Sequence, residues 1–90
     1  MSCYIVTFQA KELATRQRIR ELLKTYPSYC ALHNTCWAVV TDQKAVDVRD
    51  KLKDLLQPGD RLFVVRSGTE GAWRNVLGST ASSDWLKKNL

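Results

Sequence analysis

Three stretches of the chain crowd or alternate β-branched and aromatic residues. They are "CYIVTFQ" at 3–9, the pair "SYCAL" and "TCWAVVT" at 28–41, and "RLFVVR" at 61–66. Each has strand length and is bounded by polar or turn-forming residues. Residues 12–26 place Leu13, Ile19, Leu22, Leu23 and Tyr26 on one side of a helix, which Pro27 stops. His33-Asn34 reads as a two-residue turn joining the second and third strands. Thr41 or Asp42 is placed to cap a second helix carrying Ala45, Val48, Leu52, Leu55 and Leu56, and "QPGD" closes it with a Pro-Gly turn. The order β-α-β-β-α-β within residues 1–66 predicts the ferredoxin-like α+β plan. Both helices should lie on one face of a four-stranded antiparallel sheet, in strand order 4-1-3-2.

Period-two counting then divides the strands between two faces. Tyr4, Val6 and Phe8 point one way, and Cys3, Ile5 and Thr7 the other. In the third strand Trp37 and Val39 oppose Cys36, Ala38 and Val40, and in the fourth Leu62 and Val64 oppose Phe63 and Val65. Both faces are apolar, yet helices cover only one, and a half-solvated sheet would alternate apolar with polar. Either the C-terminal segment or a second copy of the chain must cover the other face. The expected homodimer interface is Tyr4, Val6, Phe8, Trp37 and Val39, with Trp85 from the tail. Residues 67–90 form an extension whose Trp73, Val76, Leu77, Trp85 and Leu86 should dock on the core or on a dimer mate. Two glycines around Glu70 predict a loop at 67–71, and Ser82 or Ser83 can cap a last short helix.

Charge adds a candidate partner. Fourteen Lys plus Arg against nine Asp plus Glu give a formal net charge of +5, which favours polyanions. Arg16, Arg20 and Lys24 recur at i, i+4 and i+8 on the first helix, with Lys11 and Arg18 nearby. Such a stripe can follow the phosphates of DNA or RNA, and these five are the candidate nucleic-acid-binding residues. Arg61, Arg66 and Arg74 extend the patch if they share its side. On the second helix Asp47 with Lys51 and Asp50 with Lys53 have ion-pair spacing, and the interleaved lysines speak against Asp47, Asp50 and Asp54 as metal ligands.

Other classes find little support. The chain is 44% hydrophobic, so it should fold rather than stay disordered. No apolar run approaches bilayer length and no signal-peptide pattern opens the chain, so a cytoplasmic protein without membrane contact is expected. The three cysteines lack zinc spacing and read as small buried hydrophobes. The His33-Asn34 turn would set Cys36 opposite Ala31 and Cys30 opposite Trp37, with the two thiols on opposite faces. There is no phosphate-cradling glycine motif, and "SGTEG" lacks a following helix of the right kind, so no cofactor is expected. His33, the only histidine, reads as a turn residue, and Asp42 as a helix cap. No pair of groups is placed for nucleophilic or acid–base catalysis.

The order of "YIVTF", "LHNTCWAVVTD", "PGDRLFVVR" and "DWLKKNL" resembles the SinR family, itself similar to the CRISPR-associated Cas-two family. The resemblance covers nearly the whole chain. It implies a ferredoxin-like homodimer joined through its sheets, with the C-terminal segment taking part, and duplex DNA as partner. Some Cas-two members act as metal-dependent nucleases, with a proposed ligand Asp just after strand one, following Tyr. The matching positions here are Phe8 and Gln9, and a neutral Gln9 cannot join a two-carboxylate metal site. The expectation is therefore a non-enzymatic homodimer that binds nucleic acid through a basic surface. The alternatives are a nuclease using Asp42 or Glu12 in place of the missing acid, and a protein–protein adaptor in a defence or toxin–antitoxin system.

Overall fold

The computed structural model describes residues 1–68, 72, 74, 77 and 79–89. Its elements are β1 (Ser2–Gln9), α1 (Leu13–Leu23), β2 (Ser28–His33), β3 (Cys36–Thr41), α2 (Ala45–Lys53), β4 (Arg61–Arg66) and α3 (Ser79–Asn89). The sheet order is β2-β3-β1-β4 and every pairing is antiparallel. This is the β-α-β-β-α-β order read from the sequence, with a third helix added. Trp73 and Val76, expected to dock, lie outside the described residues.

One face of the sheet forms the core. Tyr4, Val6, Phe8, Trp37 and Val39 are buried with Ile19 and Leu23 of α1, Tyr26, and Val48 and Leu52 of α2. The expected dimer interface is thereby corrected. These five strand residues form the interior of a single chain, beneath its own helices. Alternation groups residues by face but does not say which group the helices cover. Residue size could have said so, because the bulkier set fills the helix-to-sheet gap. Two further details differ on α1. Leu13 is 56% exposed, and Thr15 takes a buried place instead.

The opposite face carries Cys3, Ile5, Thr7, Cys36, Ala38, Val40, Phe63 and Val65. α3 covers its β2 side: Leu86 and Ser82 are buried, and the Trp85 indole N–H donates to Ser28 Oγ at 2.8 Å. Trp85 thus docks on its own chain. α3 begins at Ser79, earlier than a Ser82 or Ser83 cap would place it. Leu77 N–H donates to the Leu32 carbonyl at the outer edge of β2. At the β4 side, Phe63 is 61% and Val65 44% exposed, so cover is partial.

The β2–β3 connection also differs from expectation. β2 runs on to His33, which pairs with Cys36, and a bulge falls between Ala31 and His33. The turn is Asn34-Thr35, so His33 ends a strand rather than making the turn. One extra residue shifts the register, and Cys30 pairs with Ala38 while Ala31 pairs with Trp37. Cys30 and Cys36 therefore share a face with Cys3, and all three are buried free thiols.

Candidate nucleic-acid interface

β1, β2 and the start of β4 meet at one end of the sheet. Thr7 pairs with Cys36 and Phe63, Cys36 pairs with His33, and Gln9 pairs with Arg61. A row His33, Cys36, Thr7, Phe63 thus crosses the open face, with Gln9 and Arg61 beyond it. The Phe8 N–H donates to the Thr35 carbonyl at 2.9 Å, which holds the β2–β3 turn against β1. Two concavities share this end. One, of about 480 Å³, is lined by Thr7, Phe8, Gln9, His33, Thr35, Arg61, Leu62 and Phe63. The other, of about 490 Å³, is lined by Gln9, Ala10, Lys11, Gly59, Asp60 and Arg61.

The turn before β4 sets the floor of the second concavity. Pro58-Gly59 fills the middle of a four-residue turn, and Gly59 takes φ +88°, a left-handed conformation that glycine adopts without strain. Asp60 N–H donates to the Gln57 carbonyl at 3.0 Å. The Asp60 carboxylate accepts from Gln57 N–H at 2.8 Å through one oxygen and from Lys11 N–H at 3.3 Å through the other. Each oxygen of this acid thus accepts one backbone hydrogen bond, and the carboxylate keeps its charge.

The predicted basic residues separate into two groups. Arg16 Nη1 donates to the Ala10 carbonyl at 2.8 Å and to the Lys11 carbonyl at 3.2 Å. Arg20 donates through Nε and Nη2 to the Asn34 carbonyl, at 3.3 and 3.1 Å. Both side chains run back along α1 toward the end where Gln9, Lys11 and His33 lie. Each guanidinium keeps further N–H donors after these bonds. Lys11 itself is exposed there. Arg18 points to solvent from α1, and Lys24, beyond the other end of that helix, lies 3.4 Å from Glu21. The helical stripe thus does not act as one surface. Its first half is anchored at residues 10, 11 and 34, next in the chain to Gln9, which pairs with Arg61, and to His33, and spacing on α1 cannot link it to either because they sit on other elements. Strand-end pairing of Gln9 with Arg61 is the signal that could have found them.

His33 is held in place locally. Its Nδ1 accepts from Thr35 N–H at 3.4 Å, which leaves the proton of the neutral ring on Nε2. The alternative acids are arranged differently. Asp42 follows β3, has an 80% exposed side chain and lies 3.7 Å from the N-terminal amine. Thr41 pairs with Ser2 at the start of β1, whereas Glu12 follows its end, so Asp42 and Glu12 lie at opposite ends of that strand. Neither caps a helix through its side chain: α2 starts after Lys44, whose N–H donates to Asp47 at 3.0 Å, and Glu12 makes no capping bond. Asp47 is thereby used at the helix start, while Lys51 lies 5.5 Å over the Tyr26 ring. Asp50 pairs with Arg49 at 2.8 Å and with Lys53 at 3.5 Å, and the Arg49 hydrogen bond leads in holding its carboxyl below the usual range. No group of three His, Cys, Asp or Glu among the described residues is arranged to hold a metal ion. No described helix is long and apolar enough to cross a membrane.

No protein-family profile and no curated protein matches the chain. Among solved structures it is similar to the crystal structure of a hypothetical protein, TT1823, from Thermus thermophilus. The TM-score is 0.69 at 21% identity, over 83% of this chain and 92% of that one. At this identity the likeness concerns the fold.

Proposed function

We propose that this chain is a non-enzymatic nucleic-acid-binding protein that acts as a homodimer and holds phosphates at the Gln9 end of its sheet. The observation that carries the reading is that Lys11 and Arg61 share one concavity at this end, while backbone carbonyls of Ala10, Lys11 and Asn34 hold Arg16 and Arg20 at the turns of the same end. Fixed guanidinium groups suit phosphate better than freely rotating ones, since less side-chain entropy is lost on binding. The resemblance to the SinR and Cas-two families supports the same partner. Dimerisation is supported by β4, an edge strand with no further strand partner among the described residues. Pairing two such edges would satisfy backbone groups that otherwise template aggregation.

The test is a titration of labelled duplex DNA and RNA across salt concentrations. Affinity should fall linearly on logarithmic axes as salt rises. Lys11→Ala and Arg61→Ala should each reduce the slope by about one, and Arg18→Ala should leave it unchanged. Absence of binding at low salt would overturn the reading in favour of a protein–protein adaptor. Sedimentation at micromolar concentration should give a dimer, and a monomer would remove that part. Incubation with magnesium or manganese should leave DNA and RNA intact. Cleavage lost in Asp42→Ala or Glu12→Ala would establish the nuclease instead.

A further inference from the structure

We infer that the cleft between Phe63 and His33 seats one unpaired nucleotide of a single strand, its base against the Phe63 ring and its phosphate at Arg61. This deepens the nucleic-acid reading and rests on it. Phe63 is the most exposed aromatic side chain described, at 61%, and it lies on the face that α3 leaves open. An aromatic ring in that position offers a stacking surface to any base that has left its own stack. The groups around it are polar or cationic and suit the rest of a nucleotide. Arg61 supplies a planar set of donors for phosphate, and the Gln9 amide can both donate to and accept from a base edge. Thr7 and Thr35 add hydroxyls, and His33 adds a ring N–H. No carboxylate lines this cleft, so an anion meets no like charge at its walls. Its volume of about 480 Å³ falls within the range of small-ligand sites. A duplex cannot use it fully, because paired bases stay stacked and only the backbone would reach Arg61. Edge pairing of β4 strands would leave this face free, so the cleft and the proposed dimer are compatible.

The experiment uses the full chain with three probes: oligo(dT), oligo(U), and a duplex of equal length. A 2-aminopurine placed mid-strand in the single-stranded probes reports stacking by loss of fluorescence. The expected result is quenching on binding and, for Phe63→Leu, loss of that quenching with at least about five-fold weaker single-strand binding. Duplex binding by Phe63→Leu should stay unchanged. Because Phe63 is exposed, the substitution spares the core, and an unchanged circular dichroism spectrum confirms that. Gln9→Ala, also at an exposed position, should weaken single-strand binding independently. Stronger binding of oligo(U) than oligo(dT) would assign the site to RNA, and the reverse to DNA. If Phe63→Leu binds and quenches like the parent while binding remains steep in salt, the cleft is overturned and the basic end stands. Equal loss on single strand and duplex also overturns the cleft. If the parent binds no probe at low salt, both readings fall.

Discussion

The two faces of the sheet are built on the same alternation and end in different states. Beneath α1 and α2, Tyr4, Val6, Phe8, Trp37 and Val39 are buried against Ile19, Leu23, Val48 and Leu52. On the other side, small residues such as Cys3, Cys36 and Ala38 are buried, whereas Phe63 and Val65 remain exposed at the β4 edge. The difference shows that apolar alternation reports a capacity for burial, and that the covering element decides how much is realised. Two helices, α1 and α2, together cover one face. α3 packs chiefly against β2 on the other, and the β4 edge stays exposed.

The largest contrast should come from cavity mutations on the two sides. Leu23→Ala should cost about 2–5 kcal/mol, whereas Phe63→Ala should stay within about 0.5 kcal/mol of the parent. Chemical denaturation of both variants measures this, and similar losses would dissolve the distinction. Next comes the seam between α3 and β2. Trp85→Phe removes the bond to Ser28 and should cost about 1 kcal/mol, with faster proteolysis of the tail as a second readout.

The thiols give a pH-dependent version of the comparison. Burial is the leading cause that pushes Cys3 and Cys36 above their ordinary value of 9.0, and a Ser67 hydrogen bond opposes it at Cys3. Burial first, and then Asp47, raises Tyr26 as well. The folded chain therefore keeps protons that the unfolded chain releases. Stability should be level below the unfolded thiol value and fall as pH rises through the folded ones. The denaturation midpoint followed from neutral to alkaline pH checks this, and Cys36→Ala should flatten the decline. A midpoint that rises with pH would contradict the assignment. The smallest effect belongs to exposed charge. Glu21→Ala removes the Lys24 pair and should change stability by about 0.3 kcal/mol, screened further by salt.

Most of the framework was legible in the sequence because it depends on local periodicity and turn chemistry. β1 and β4 lie within a residue of their predicted limits, whereas the helices end at Leu23 and Lys53, short of Pro27 and "QPGD", so that Tyr26, Leu55 and Leu56 fall beyond them. Face assignment was not legible from alternation alone, which is why Tyr4 and Trp37 were expected at an interface. The bulge at Leu32 carries no strong local signal, since its extra residue is placed by the pairing of His33 with Cys36. The candidate interface was half legible. Arg16 and Arg20 follow from spacing on one helix, with Lys11 just before it, but Arg61 and His33 reach the same end only through strand pairing, a relation between segments distant in the chain.

The place of β1 has a mechanical consequence. It is the first strand in the chain, yet it lies in the middle of the sheet, hydrogen-bonded to β3 on one side and β4 on the other. Tension applied through Met1 meets two ladders loaded together. Tension applied through the C-terminal end meets α3, held to β2 by the Trp85 bond and the buried Leu86. The molecule is thus anisotropic under force. Its C-terminal helix peels away first, while the strand that leads into the basic end keeps its register.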